Sequence, residues 1–163
     1  MEKKGVEYSR AVMSQVMMPQ DANPAGIIHG GVVMKQIDDA AGVVAIRHAG
    51  RPVVTASIDR LDFHNPVFIG NLLTLKASLN LVGKTSMEVG VRVEAEDLLT
   101  GKIKHTASAY LTFVALNKKY EPVAIPPLEL NTEEDHRRNE EAAERRKIRL
   151  AERTQEKKCR RNE

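Results

Sequence analysis

The sequence predicts an α+β domain in which one long helix is wrapped by a five-stranded antiparallel sheet. Three observations predict it. Within the body of the chain, apolar residues recur with helical spacing over one long stretch, Gly30 to about His48. Four runs rich in Val, Ile, Leu and Thr follow, separated by turn residues, and a fifth precedes it.

Taken in order, Glu7–Met18 mixes Val, Met and Tyr with Ser and Gln and reads as an edge strand that Pro19 stops. Residues 20–31 hold Asn23-Pro24, Gly26 and Gly30-Gly31 and read as a loop. The helix places Val33, Ile37, Ala40, Ala41 and Val44 on one face, and Gly50, Arg51 and Pro52 close it. The four later strands are Val53–Phe63, Asn71–Leu81, Ser86–Glu96 and Lys102–Leu116. Asn65-Pro66, Gly70-Asn71, Val82-Gly83-Lys84 and Thr100-Gly101-Lys102 mark the breaks. In Met87–Glu94 one side of the strand is apolar and the other mostly charged.

One helix cannot cover both faces of such a sheet, and self-association is the simplest second cover. Residues 7–127 form this domain. After Pro122–Pro127 the composition changes, and 128–163 reads as a charged tail. Glu133→Arg137, Glu134→Arg138 and Glu141→Arg145 are helical i,i+4 pairs, but apolar residues such as Ile148 and Leu150 are scattered. The tail is expected to be a solvated helix that frays toward Glu163 and to be dispensable for chemistry.

A 163-residue chain fits one domain plus a tail, and at 42% hydrophobic with no Trp its core must be aliphatic. The longest apolar stretch, Val32–Ile46, is broken by Lys35, Gln36, Asp38 and Asp39, which excludes a membrane span. The start, Met-Glu-Lys-Lys-Gly, is unlike a signal peptide. The single cysteine, Cys159, excludes an internal disulfide framework and reads as a chance thiol, which suits a cytoplasmic setting. The net charge of +3 is spread: 128–163 hold 11 basic and 10 acidic residues, and 1–127 hold 14 and 12. With no basic patch and no aromatic interleaving, nucleic-acid binding is not expected.

Several chemistries fail on spacing. The five histidines share no ligand spacing and no CxxC occurs, so no metal site is expected. Gly-x-Ser-x-Gly is absent. Gly83-Lys84-Thr85 ends like a phosphate-binding loop, but the required upstream glycine is Ser78. What remains is the helix and its leading loop. Gly30 and Gly31 offer backbone N–H donors at the positive helix end, suited to a carbonyl oxygen that gains negative charge during attack. Glycines easing a tight turn would look the same. Asp38 shares a helical row with Met34, Ala41 and Ala45, where a carboxylate is costly unless paired or at a polar cavity. It is a general-base or nucleophile candidate, or a core Asp that bonds a neighbour. Asp39 stacks with Lys35 and is more easily neutralised. Asn23 and His29, taken alone, read first as ordinary loop residues.

The segments Asp21–Gly31, Met34–Gly42, Val53–Ser57, Asp62–Pro66, Lys84–Val89 and Ala107–Val114 resemble, in order, the acyl-CoA thioesterase branch of the hotdog superfamily. The resemblance spans about residues 7–127 and reaches the brain acyl-CoA hydrolase type and short bacterial relatives. It implies the hotdog fold, a homodimer with a continuous sheet as the catalytic unit, and a trimer of such dimers. It implies hydrolysis of acyl-CoA, of medium to long fatty acyl chains, to free acid and CoA. Asn23 and Asp38 match the catalytic positions and would come from different chains, with Gly30 and Gly31 at the carbonyl. Lys84, Thr85 and Ser86 match positions for the CoA phosphates. No cofactor is implied beyond the CoA of the substrate. Two rivals use the same pocket: a hydratase or dehydratase, whose Asp-x4-His spacing is absent here, and a CoA-ligand scaffold without turnover.

Overall fold

A computed structural model describes the backbone of residues 1–160 and the side chains of residues 1–155. Cys159 and the expected fraying toward Glu163 lie outside the described side chains. The elements are β1 (Lys4–Gly5), α1 (Val6–Ser9), β2 (Ala11–Val16), α2 (Gly30–Ala49), β3 (Val53–Phe63), β4 (Leu72–Val82), β5 (Ser86–Asp97), β6 (Lys102–Ala115), β7 (Leu128–Glu129) and α3 (Glu133–Arg160). A short 3-10 turn spans Pro19–Asp21.

The five-stranded sheet runs β2-β4-β5-β6-β3, every neighbour antiparallel, and α2 packs on one face. The face of α2 read from spacing is the buried one: Val33, Ile37, Ala40, Ala41 and Val44 meet Leu73, Leu75, Leu79, Val89 and Leu111 in an aliphatic core. The alanines let helix and sheet approach closely. Gly50 ends α2 in the left-handed conformation (φ 60°), which a glycine adopts without steric cost, and its N–H bonds Ile46 O.

The first strand is shorter than expected. Residues 6–9 form a helical turn instead, because Val6 and Ser9, three apart, are the buried pair, and Lys4 Nζ donates to the His48 carbonyl at the end of α2 (2.8 Å). His48 itself is fully buried. Its Nε2 lies 2.8 Å from Pro126 O, and burial holds its pKa below the ordinary value.

The tail departs most from expectation. Far from being solvated throughout, α3 lies across the face of the sheet opposite α2, and Ala142 is 0% exposed. Glu88, on the charged side of β5, is 2% exposed and receives Arg145 Nη2 at 2.7 Å, while the Arg145 guanidinium stacks over Tyr110 at 3.7 Å. Asn139 Nδ2 donates to Asn80 O (2.8 Å). The second cover is therefore at least partly the chain's own. The sequence pattern hid this because the face that α3 presents is made of Arg, Asn and Ala rather than large apolar residues.

Removing residues 131–163 would bare this polar face, against the expectation of dispensability. Arg145→Ala is expected to cost about 3 kcal/mol, the low end for stranding one partner of a buried ion pair, since Arg145 keeps 22% of its side chain exposed. Urea unfolding measures it. A loss below about 1 kcal/mol, the scale of a surface pair, would return α3 to the role of a solvated tail.

At the sheet's edges, β2 is short and β3 is long. β3 leaves Val54, Ile58 and Phe63 exposed and its outer hydrogen-bonding edge unpaired among the described residues.

Candidate active site

The loop before α2 is built around Asn23. Its side-chain carbonyl accepts from Ala25 N (3.0 Å) and Ile27 N (3.3 Å), and its backbone N–H donates to Ile27 O (2.7 Å). Gly26 takes a positive φ of 79° inside this turn. With the carbonyl oxygen engaged, the Asn23 amide NH2 is left with no partner among the described residues. Ile28 N bonds Val67 O (2.8 Å) and His29 N bonds Asp21 O (2.8 Å), which ties the loop to the rest of the fold.

Helix α2 then starts at Gly30. His29 is its N-cap, with Nδ1 accepting from Gly31 N (3.1 Å). Of the two glycines expected as carbonyl donors, Gly31 thus has its N–H engaged by the cap. Gly30 N–H has no acceptor among the described residues and sits at the positive helix end. Asn23 and Gly30 line one cavity of about 310 Å³, with Ile27, Val33, Phe63 and His64. A Cβ on Gly30 would lie 3.7 Å from the Phe63 ring.

Asp38 is elsewhere. Eight residues separate it from Gly30, about 12 Å along the helix axis, and it does not line that cavity. It is half-buried, and Thr55 Oγ1 donates to its Oδ1 at 2.7 Å. Of its row, Ala41 and Ala45 are buried and Met34 is exposed, so Asp38 stands where the core meets solvent. Asp39 is exposed and paired with Lys35 Nζ at 2.7 Å, which raises the Lys35 pKa, first through that hydrogen bond. The two neighbouring aspartates thus sit in different surroundings, as their helical rows implied.

Lys84 and Thr85 lie in the β4–β5 turn and Ser86 opens β5; the turn carbonyls are engaged, Lys84 O by Ile125 N and Thr85 O by Ala115 N. In sheet register this turn is at the Thr55 end, since Thr55 pairs Phe113 and Phe113 pairs Met87. Phe63, beside the Asn23 cavity, pairs Ala107 and so lies level with Val93, six residues along β5. One chain therefore carries two separated clusters of candidate site residues. One holds hydrogen-bond donors, Asn23 and Gly30. The other holds an oriented carboxylate, Asp38, and a turn with Lys84.

Thr55, His64 and Asn65 carried no role in the sequence reading. For Thr55 a signal existed: it is a hydroxyl on the helix-facing side of β3. Asn65 Nδ2 anchors the cavity rim to His105 O (2.7 Å), and His64 lies 4.9 Å from the His105 ring. Arg146 was also missed. It lies so near Gly83 that a Cβ there would come within 2.8 Å of its Nη1, placing a second cation beside Lys84. Among the described residues no three His, Cys, Asp or Glu side chains form a metal-ligand set, and no helix is long and apolar enough to cross a membrane.

The family model described as the thioesterase superfamily matches residues 25–102. Protein VdlD of Helicobacter pylori is 40% identical over 88% of this chain and 82% of its own. The Bacillus subtilis protein YkhA, named an uncharacterized acyl-CoA thioester hydrolase, is 38% identical over 82% of this chain and 78% of its own. The cytosolic acyl coenzyme A thioester hydrolase of Rattus norvegicus is 36% identical, and the match spans 37% of its length. Among solved structures, an apo hexameric acyl-CoA thioesterase superposes with a TM-score of 0.90 at 39% identity, covering 93% of this chain and 97% of that one. An acyl-CoA hydrolase from Staphylococcus aureus, in complex with butyryl coenzyme A, coenzyme A and coenzyme A disulfide, gives 0.89 at 33% identity over 96% of both chains. Variants of that enzyme with an asparagine, an aspartate or a threonine replaced by alanine superpose equally well.

Proposed function

The chain belongs to the thioesterase superfamily, in its acyl-CoA thioester hydrolase branch, and from that premise we propose that it hydrolyses fatty acyl-CoA to free acid and CoA. The observation that carries this reading is a spacing. Asn23, Asp38 and Thr55 stand 15 and 17 residues apart, as do the asparagine, aspartate and threonine replaced in the Staphylococcus aureus enzyme.

In this reading the two half-sites meet across a dimer. Antiparallel self-pairing of β3 about its middle would satisfy its open edge and cover Val54, Ile58 and Phe63. It would set Thr55 of one chain opposite the Leu61–Phe63 end of the other, bringing one chain's Asp38 toward the other's Asn23. The dimer is the catalytic unit and three dimers assemble, a reading supported by the hexameric state of one relative.

Asn23 Nδ2 and Gly30 N–H donate to the thioester carbonyl oxygen, where negative charge grows. Asp38, oriented by Thr55, takes a proton from water as the water oxygen attacks the carbonyl carbon. Direct attack by Asp38 to give an anhydride is the other route to the same products. Collapse expels the CoA thiolate, a good leaving group because thiols are acidic near pH 8.5, and the proton from Asp38 ends on it. Lys84, Thr85 and Ser86, with Arg146, hold the CoA phosphates. The apolar wall of Ile27, Ile28, Val33 and Val67 suits an acyl chain of medium to long length. No cofactor is needed, and the lone Cys159 together with the cytosolic rat relative supports a cytoplasmic location.

Thiol release from a panel running from acetyl- to palmitoyl-CoA tests this. Expected is a kcat/KM of at least about 10⁴ M⁻¹s⁻¹ for one or more fatty acyl-CoAs. Binding without thiol release, or hydration of an enoyl-CoA with none, would instead support a scaffold or a hydratase.

A further inference from the structure

Helix α3 does more than cover the sheet: its contacts step across the strands in sheet order. Arg138, Asn139, Ala142, Arg145 and Arg149 recur at helical spacing along one face. Arg138 Nη1 donates to Ser78 Oγ (2.9 Å) and Asn139 to Asn80 O, both on β4. Arg145 pairs with Glu88 on β5 and stacks on Tyr110 of β6. Arg149, one turn further, forms an ion pair with Asp59 on the edge strand β3.

Asp59 is not an ordinary strand position. The β3–β6 register passes from Ile58↔Leu111 to Arg60↔Tyr110, which leaves Asp59 as the extra residue of a bulge. A second shift, between Thr55 and Ser57, leaves Ala56 likewise unpaired. The ladder therefore holds Thr55–Arg60 at only part of its positions. Side-chain bonds hold the rest: Ser57 Oγ donates to Asp59 Oδ1 (3.0 Å), and Arg149 binds Asp59 Oδ2. The Arg149 and Asp59 side chains are 16% and 14% exposed, although Asp59 as a whole residue is exposed at the sheet edge. Four residues before Asp59 stands Thr55, which orients the Asp38 carboxylate.

We propose that Arg149 and Asp59 are positioning residues for the reaction: their ion pair fixes the bulged segment of β3 and thereby sets Thr55 against Asp38. Helix α3 is a strap from the far side of the sheet to the reacting edge. The inference rests on the hydrolase reading above. Neither residue touches substrate, so their loss misaligns Asp38 without removing a substrate contact.

The test compares Arg149→Gln, Asp59→Asn, Arg149→Lys and the charge-reversed pair Asp59→Arg with Arg149→Asp, with Glu140→Gln as a control on the exposed side of α3. Expected for the two neutral variants is a kcat about tenfold lower at unchanged KM, short of the hundredfold that a 1 Å misplacement can cost. Assembly mass should be unchanged, and hydrogen exchange of peptides covering residues 53–63 should be faster. Arg149→Lys and the reversed pair should recover most of the kcat, and the control should match the parent. An unchanged kcat in Arg149→Gln and Asp59→Asn overturns the proposal. So does a loss that follows dissociation of the assembly, or one that Arg138→Gln reproduces, because either makes the pair merely structural. Exchange is read without turnover: faster exchange in the variants of a protein that releases no thiol would overturn the hydrolase reading and leave the strap intact.

Discussion

Asp38→Asn is expected to lower turnover of acyl-CoA at least about a hundredfold, the lower end of general-base effects, while Asp39→Asn stays near the parent. The two side chains are adjacent in sequence and differ by one residue's rotation about α2. Asp38 is half-buried and bonded to Thr55 at 2.7 Å, and Asp39 is exposed on Lys35. An amide at 38 can still accept from Thr55, so the fold is kept and only the proton acceptor or nucleophile is lost. Thr55→Ala should fall between them, because it leaves the carboxylate but releases its orientation. Steady-state thiol release at saturating substrate measures all three. Equal losses at 38 and 39 would show that the helix face does not decide which carboxylate reacts.

Mixing inactive Asn23→Ala subunits with inactive Asp38→Asn subunits should restore activity. Within one chain Gly30, beside Asn23, and Asp38 are about 12 Å apart along the helix, and Asp38 does not line the cavity that holds Asn23. If each site takes Asn23 from one chain and Asp38 from its partner, a mixed dimer has one site with both mutations and one with neither. Random exchange makes half of the dimers mixed, so about a quarter of all sites return to the parent form if sites act independently. Each variant carried alone through the same unfolding and reassembly must stay inactive. Exchange demonstrated by mass with no return of activity would place both residues in one site of one chain.

Much of the fold was legible because period is a local property. The apolar face of α2 and the span Val53–Phe63 were read as they stand, and the ends of β4, β5 and β6 were read to within a residue. Lys35 lay one helical turn from Asp39, so their pairing was legible too. The N-terminal strand was overrun because Val6 and Ser9 are buried by contacts with distant residues, which no local pattern carries. The same reason hid α3: an Arg, Asn and Ala face reads as solvated until Glu88, Asn80 and Tyr110 are known to lie opposite it.

The candidate site divides along the same line. Asn23, Gly30 and Asp38 could be named as candidates from sequence because the proposed chemistry calls for such groups beside a helix start and on an otherwise apolar helical row. That Thr55 orients Asp38 and that Asn23 and Asp38 stand apart within one chain were decided only by the tertiary structure. Hydrogen-bond partners distant in sequence are chosen by packing. Alternation along a strand determines which face a hydroxyl takes, but the residue that waits there is determined by the crossing of α2 over β3.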